Sequence, residues 1–200
     1  MNTFTLIKDN HLGGFIKGGD PRTYYPQLWD KIIMDYKVET MFDVGCGEGY
    51  AVEYFQNKGI QASGVDGSKK VLKNKVINNL EIHDYTKGSF TINIFYKRRY
   101  VDLIWCCEFV EHVEEEYINN FLETFKCGKI VILTHALPGQ GGYHHVNEQN
   151  DIYWIDKMEK TGFEFDAVKT MEYRKLAHDY FEKTGMVFIN KKYNDGTKKR

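Results

Sequence analysis

Three alternating glycines follow an acidic residue where an apolar run gives way to a helical pattern. These residues are Asp43, Gly45, Gly47 and Gly49. Glycine readily adopts positive φ and has no Cβ atom, so a ligand can lie directly against the main chain of such a turn. The type and spacing of these residues therefore predict a nucleotide-binding loop.

Two common nucleotide motifs fit this loop poorly. A dinucleotide fingerprint needs a glycine at its sixth position, where this chain has Tyr50 if counted from Gly45 and Val52 if counted from Gly47. A Walker loop needs a Gly-Lys-Ser/Thr tripeptide, which occurs nowhere in the chain. The sequence weakens the first interpretation and excludes the second.

A second acidic residue, Asp66, ends the next predicted strand and is followed by Gly67. A carboxylate in this position can accept hydrogen bonds from both hydroxyls of a ribose. Enzymes that use NAD also place an acid here, so Asp66 predicts an adenosine-containing ligand without choosing between cofactors.

The run Asp43-x-Gly45-x-Gly47-x-Gly49 resembles motif I of the class I S-adenosylmethionine-dependent methyltransferases of small-molecule type. The resemblance implies that S-adenosylmethionine is the cofactor and that Asp43 faces its cationic methionine end. It also implies that Asp84 binds the adenine amino group and that residues 107–109 line the floor of the site. The cofactor-binding residues expected on this basis are Asp43, Gly45, Cys46, Gly47, Gly49, Asp66, Gly67, Asp84, Tyr85, Cys107, Glu108 and Phe109.

A glycine-rich segment with three histidines, residues 134–147, follows the fifth predicted strand of the sheet. Loops at the carboxyl edge of such a sheet hold acceptor sites, so His135, His144 and His145 are candidate bases for removing a proton from an oxygen or nitrogen nucleophile. For each histidine, the alternative is a single structural hydrogen bond. Direct displacement relies mainly on alignment and needs a base only if the nucleophile holds its proton.

A metal site is an alternative interpretation of the same segment, because His144, His145 and Glu148 are metal-ligand types that lie close together in sequence. Adjacent side chains on extended backbone point to opposite faces, so one ion does not readily take both histidines. The sequence therefore predicts no metal site.

Apolar periodicity predicts alternating helices and strands. The predicted helices are Leu28–Tyr36, Glu48–Asn57, Lys69–Asn78 (capped by Ser68), Glu111–Phe125 and Ile152–Thr161. The predicted strands are Met41–Val44, Gln61–Val65, Leu80–His83, Tyr100–Cys107, Lys129–Leu133, Phe163–Val168 and Met186–Asn190.

Such alternation is typical of an α/β, doubly wound fold with helices on both faces of a mostly parallel sheet. The resemblance adds that the sheet has seven strands with the last one antiparallel, in a Rossmann-like methyltransferase fold. We expect a single domain over residues 1–200, with residues 1–37 as a helical, lid-like N-terminal segment and residues 191–200 as a flexible basic tail.

The net charge of −1 gives no overall field that would attract nucleic acid or an anionic membrane. The four cysteines form no C-x-x-C pair, no signal peptide is evident and no apolar stretch reaches 18 residues, so we expect a cytoplasmic protein without a membrane partner. The predicted function is methyl transfer to an oxygen or nitrogen of a small molecule or sugar. A nicotinamide-dependent reductase and an RNA-modifying or RNA-binding module using the basic tail are the alternatives.

Overall fold

The computed structural model describes residues 4–92 and 100–194. Its strands are β1 (Thr5–Lys8), β2 (Gly14–Lys17), β3 (Thr40–Val44), β4 (Gln61–Asp66), β5 (Leu80–Ile82), β6 (Val101–Cys106), β7 (Gly128–Leu133), β8 (Phe163–Phe165) and β9 (Met186–Asn190). Its helices are α1 (Pro26–Tyr36), α2 (Tyr50–Asn57), α3 (Ile118–Phe125), α4 (Asp151–Lys160), α5 (Ala167–Arg174), α6 (Asp179–Thr184) and α7 (Lys191–Asn194).

Seven of these strands form one sheet in the order β5-β4-β3-β6-β7-β9-β8. All neighbouring pairs from β5 to β7 are parallel, whereas β9 runs antiparallel to both β7 and β8. This confirms the predicted doubly wound, mostly parallel sheet with an antiparallel late strand. In register, Val44 lies beside Val65, so the glycine loop after β3 and Asp66 at the end of β4 meet at one edge.

Each face of the sheet is covered by its own hydrophobic cluster. On one face, residues of α3 and α4 such as Phe121 and Trp154 pack against β3, β6 and β7. On the other face, Trp29 of α1, Trp105 of β6 and Phe181 of α6 form an aromatic group in which Trp105 and Phe181 stack with ring centroids 5.6 Å apart. Full burial of such side chains stabilises the fold by about 1.5–3 kcal/mol each, so both helical layers are firmly held on the sheet.

The predicted helix Lys69–Asn78 is wrong beyond its first turn. Ser68 caps this segment as expected, but only a short 3₁₀ helix over Lys69–Lys73 forms. Further on, the backbone N–H of Val76 donates to the carbonyl oxygen of Glu48, which draws the chain onto the glycine loop instead of into a helix. Leu72, one of the apolar residues that suggested the helix, is exposed.

The predicted helix Glu111–Phe125 also begins later than expected. Residues Val110–His112 and Glu115–Tyr117 form two 3₁₀ turns, and the α-helix begins only at Ile118. The carbonyl oxygen of Glu111 accepts hydrogen bonds from the N–H groups of Val146 and Asn147, 3.0 Å away in both cases. Because that carbonyl is engaged by a distant loop, it does not start a helical ladder.

The predicted strand Phe163–Val168 is too long at its end. The strand stops at Phe165, and Val168 lies in α5, whose first turn is capped by the carboxylate of Asp166 accepting from the N–H of Lys169. A capping aspartate in place of a continued apolar alternation explains the difference.

The two ends of the chain differ from the expectation in detail. The N-terminal segment contains the antiparallel hairpin β1–β2 ahead of α1. In the basic segment 191–200, α7 occupies Lys191–Asn194, and the remainder lies outside the described residues. Over residues 4–92 and 100–194, no helix is long and apolar enough to cross a membrane.

Asp102 joins three strands at the opposite edge of the sheet. Its carboxylate accepts from the N–H groups of Glu39 and Thr40 and from the Thr40 hydroxyl, all at 3.0 Å, and pairs with the ammonium of Lys129 at 2.6 Å. The residue is only 7% exposed. A buried carboxylate in this arrangement satisfies donors that would otherwise lose their water without compensation.

We therefore expect Asp102→Ala to lower the free energy of unfolding by about 2–4 kcal/mol, because it leaves backbone donors unpaired. Asp102→Asn keeps an acceptor for those donors and loses the ion pair to a partly exposed lysine, so its cost is about 1 kcal/mol. Urea unfolding of both variants measures the difference. Equal costs would contradict the role given to the backbone donors.

Candidate active site

A cavity of about 740 Å³ opens at the carboxyl edge of the parallel strands. The loop after β3 forms one wall, the segment after β6 forms the floor, and the N-terminal segment and the glycine-rich loop after β7 close the sides. Of the predicted cofactor residues, Asp43, Gly45, Cys46, Gly47, Cys107 and Glu108 line it. Ligands of open α/β sheets bind at this edge.

A second, smaller cavity of about 50 Å³ adjoins the first through Gly45 and Glu108, which line both. Its walls contain the remaining predicted cofactor residues except one, namely Asp66, Gly67, Asp84, Tyr85 and Phe109. The exception is Gly49, which lines neither cavity. The structure thus brings eleven of the twelve predicted residues to one continuous site.

The three glycines of the loop differ in what surrounds the position of the missing Cβ atom. All have positive φ, at +81° for Gly45, +54° for Gly47 and +96° for Gly49. A Cβ atom on Gly45 would lie 2.7 Å from the Phe109 side chain, and one on Gly49 would lie 2.6 Å from Ile77. A Cβ atom on Gly47 would meet nothing closer than 3.8 Å and would project into the cavity. Of these three glycines, Gly47 therefore has free space at the position of a Cβ atom.

Asp66 connects the two turns that form the site. One carboxylate oxygen accepts from the N–H of Gly47 at 2.9 Å, and the other accepts from the N–H of Ser68 at 2.8 Å. Burial raises the pKa of Asp66 to about 6, although both backbone hydrogen bonds act to lower it. Burial and the charge of Asp66 raise the pKa of Asp43 well above its usual range. Each Asp66 oxygen keeps a lone pair for a further donor.

The N-terminal hairpin lies across the smaller cavity. His11 bonds to the carboxylate of Asp84 at 2.9 Å, and Leu12 packs against Gly67, where a Cβ atom would lie 2.9 Å from its methyl group. Asp9 holds this segment down by accepting from the Ser68 hydroxyl and pairing with Lys70. The hairpin narrows the part of the site that contains the residues expected to bind adenosine.

Glu48 offers a partner for a cationic ligand. Its side chain is 3% exposed and lines the larger cavity next to Gly47. One carboxylate oxygen accepts from the N–H of Gly18 at 2.8 Å, while the other has no partner among the described residues. An ammonium or sulfonium group next to Gly47 would satisfy this carboxylate, so the residues present fit S-adenosylmethionine.

The three predicted catalytic histidines lie in different environments. His135 is fully buried, bonds through Nε2 to Asp151 at 3.0 Å, and lines neither cavity, so it is not placed to take a proton from an acceptor. His144 points toward Glu114, with its Nε2 4.0 Å from a carboxylate oxygen, and does not line the cavities either. His145 lines the larger cavity.

Sequence reasoning missed the association of His145 with Glu111 and His112. Each of these three side chains offers one ligand atom, and those atoms lie within 4.8 Å of one another. Among the described residues, His144, His145 and Glu148 do not form a ligand set, because His144 points toward Glu114 while Glu148 bonds to Nδ1 of His145 at 3.2 Å. The sequence after β6 reads Glu108-Phe109-Val110-Glu111-His112 and so brings potential ligands together, but the third one, His145, comes from a loop more than 30 positions away.

Buried carboxylates give this part of the site an unusual electrostatic character. Burial raises the pKa of Glu108 to about 7, partly offset by a 2.8 Å hydrogen bond from the Thr134 hydroxyl. Burial and the adjacent charge of Glu108 raise the pKa of Glu111 well above its usual range. Burial lowers the pKa of His112 to about 4, which keeps its ring neutral. Such shifts are typical of sites that bind ligands or move protons.

The chain is similar in sequence to known methyltransferases. Residues 42–128 match a family described as "Methyltransferase domain". A "Ubiquinone biosynthesis O-methyltransferase" of Nitrosomonas europaea is 35% identical over 89 residues, which are 43% of this chain and 38% of that relative. The matched part thus spans well under half of the relative's length.

Solved structures share the fold at low sequence identity. A TehB-like SAM-dependent methyltransferase from Corynebacterium glutamicum superposes with a TM-score of 0.62 at 15% identity, covering 87% of this chain and 90% of the other. The glycopeptide N-methyltransferase MtfA, solved with S-adenosyl-L-methionine, gives a TM-score of 0.56 at 9% identity and covers 84% and 87% of the two chains. These similarities concern the fold.

The different surroundings of the loop glycines generate a prediction. Gly47→Ala should cost only about 1–2 kcal/mol of stability, from its left-handed backbone, yet weaken S-adenosylmethionine binding by roughly tenfold or more because its methyl group enters the cavity. Gly49→Ala should destabilise the fold by about 2–4 kcal/mol through its clash with Ile77 and leave the affinity of the folded fraction nearly unchanged.

Thermal unfolding and titration calorimetry on the two variants separate these effects. If Gly47→Ala binds the cofactor as the unchanged protein does, the loop does not hold the ligand in the way described.

Proposed function

We propose that this chain, which belongs to the class I S-adenosylmethionine-dependent methyltransferases, transfers a methyl group to an oxygen or nitrogen atom of a small acceptor in the larger cavity. The observation that carries the proposal is the continuity of this cavity with the cofactor loop. Gly47 and Glu48 of that loop line the same cavity as Tyr143, His145 and Tyr180. Donor and acceptor can therefore occupy one cavity.

The chemistry of the cavity wall supports a neutral or cationic acceptor. Acidic side chains line it, namely Asp20, Asp43, Glu48 and Glu108. Over the described part of the chain, no lysine or arginine contributes to this wall. Phosphate groups need cationic partners, so this wall disfavours a nucleic acid or a phosphorylated metabolite as the acceptor. Aromatic residues such as Tyr24, Tyr50 and Trp105 provide flat apolar surface for a ring-containing acceptor.

S-adenosylmethionine supplies a methyl group already activated by positively charged sulfur. The acceptor lone pair bonds to the methyl carbon while the carbon–sulfur bond breaks, and the electron pair goes to sulfur, giving S-adenosylhomocysteine. The chain's own residues hold the reactants in line and exclude water. Glu108, with a pKa raised to about 7 by burial, is ionised enough near neutral pH to accept a proton from a hydroxyl or ammonium acceptor.

An oxygen acceptor accords with the name of the Nitrosomonas relative, and a nitrogen acceptor with that of the glycopeptide enzyme. The proposal covers both. Formation of S-adenosylhomocysteine with panels of phenols, alcohols and amines tests it, with phosphorylated analogues as the matched comparison. Turnover confined to phosphorylated or polynucleotide acceptors would overturn the acceptor class.

Cofactor binding can be tested independently of the acceptor. Asp66→Ala should weaken S-adenosylmethionine binding by a factor of tens, since a charged hydrogen bond to a ribose contributes on the order of 1.5–3 kcal/mol. Asp156→Ala, which removes an exposed carboxylate paired with Lys160, is the matched control and should bind normally. Tighter binding of NADH than of S-adenosylmethionine would favour the reductase alternative.

The raised pKa of Asp66 also predicts a pH dependence. The ionised carboxylate accepts ribose hydroxyls more strongly than the protonated form, so affinity should fall as pH drops through about 6. Between about pH 7.5 and about pH 5 the dissociation constant should rise roughly tenfold, and Asp66→Asn should remove most of this dependence.

The stability of the free protein should depend on pH in the opposite direction: ionising Asp66 lowers the free energy of unfolding as pH rises from 3.8 toward about 6. Calorimetry and thermal unfolding across this range measure both.

A further inference from the structure

Glu111 is a buried carboxylate that lacks a counter-charge. Its exposure is 0%, and neither of its carboxylate oxygens has a hydrogen-bond partner among the described residues. Its main chain is fixed in place by the two bonds to its carbonyl oxygen from Val146 and Asn147. Because a dry carboxylate without a donor is strongly unfavourable, this group needs a cation or a proton to neutralise it.

Two histidines beside Glu111 are oriented in the same way. The Nδ1 atom of His112 lies 3.1 Å from the carbonyl oxygen of His144, and the Nδ1 atom of His145 lies 3.2 Å from the carboxylate of Glu148. Both partners are acceptors, so in each neutral ring the proton resides on Nδ1 and Nε2 carries a lone pair. Metal-binding histidines are held by outer partners in just this manner.

The three side chains are close enough to share one ion. One ligand atom from each lies within 4.8 Å of the others, and ligands of a single ion at about 2.1 Å are separated by about 3–4 Å. Small side-chain rotations remove the difference. His112 and His145 line the larger cavity beside Glu108, so an ion held against Glu111 would have open positions on the cavity side.

We propose that Glu111, His112 and His145 bind a first-row divalent cation in the cavity wall. One carboxylate and two imidazoles form a mixed oxygen and nitrogen donor set, which suits manganese, iron, cobalt or zinc better than calcium or magnesium.

The role of this ion rests on the proposed function. A hydroxyl oxygen of the methyl acceptor would take an open coordination position, where the ion would lower the pKa of that hydroxyl and fix its orientation. Its proton would pass to the carboxylate of Glu108, which lines the same cavity, as the oxygen takes the methyl group. The acceptor is then an oxygen nucleophile, and no histidine of the loop serves as its base.

The test uses the full chain, freed of metal by a chelator and titrated with Co²⁺. We expect saturable binding of about one equivalent with visible absorption bands of nitrogen-coordinated cobalt, and competition by Mn²⁺ or Zn²⁺. Glu111→Gln and His145→Gln should weaken binding by roughly 100-fold or more, and Glu148→Gln by about 10-fold through the loss of an outer partner.

His144→Asn is the matched control. It removes the neighbouring imidazole, keeps the carbonyl oxygen that holds His112, and suits the positive φ of 57° at this position. Its cobalt affinity should equal that of the unchanged protein. Circular dichroism checks that each variant folds, and His145→Gln decides the question if Glu111→Gln does not fold.

Two results would overturn the proposal: no binding of cobalt, manganese or zinc, or an unchanged cobalt affinity in both Glu111→Gln and His145→Gln. If no metal binds, a proton shared with Glu108 neutralises Glu111 instead. S-adenosylmethionine binding is measured on the same samples and should stay within about threefold in all variants. Loss of cofactor binding with intact cobalt binding would contradict the proposed function alone, so the two failures are distinguishable.

Discussion

The carboxylate of Asp66 is the interaction on which the site depends. It accepts from Gly47 on one side and Ser68 on the other, and so ties the loop after β3 to the turn after β4. Parallel pairing of Val44 with Val65 brings the two turns level, and the carboxylate then fixes their spacing. This connection holds the loop glycines in the left-handed backbone conformation. In that conformation the main chain of Gly47 and the Glu48 oxygen that lacks a partner among the described residues face the cavity.

Much of the fold could be read from the sequence, because it follows from patterns that are local. Strands such as β3 and β6 are short apolar runs buried on both faces. The glycine loop after β3, together with Asp66, indicates the edge of the sheet at which a ligand binds. The seven strands of the sheet were therefore predicted, and eleven of the twelve residues expected to bind the cofactor line the two adjoining cavities. Gly49 lines neither cavity, since the space that its missing Cβ leaves is taken by Ile77.

The remainder depended on contacts between distant segments. No local pattern predicts that the loop around Val146 donates hydrogen bonds to the carbonyl oxygen of Glu111. As a consequence of this contact, 3₁₀ turns replace the first turns of the expected helix, and His145 lies beside His112. Likewise, the three histidines of the loop look equivalent in sequence, yet His135 is buried against Asp151 while His145 lines the cavity. Chemistry-bearing residues were visible from the sequence, but their grouping required the tertiary structure.

The hairpin β1–β2 has a kinetic consequence. Its ties to the sheet edge, Asp9 with Lys70 and His11 with Asp84, are partly exposed polar pairs of the kind that contribute about 0–1 kcal/mol each. The firmer attachment is Phe15 of β2, which is buried in the same hydrophobic cluster as Trp29 and Trp105. Because the hairpin lies across the smaller cavity, we propose that it acts as a lid, which opens to admit the donor and opens again to release the spent nucleoside. The residence time of either molecule is then set by the frequency of this peeling motion, and we expect it to limit turnover when chemistry is fast.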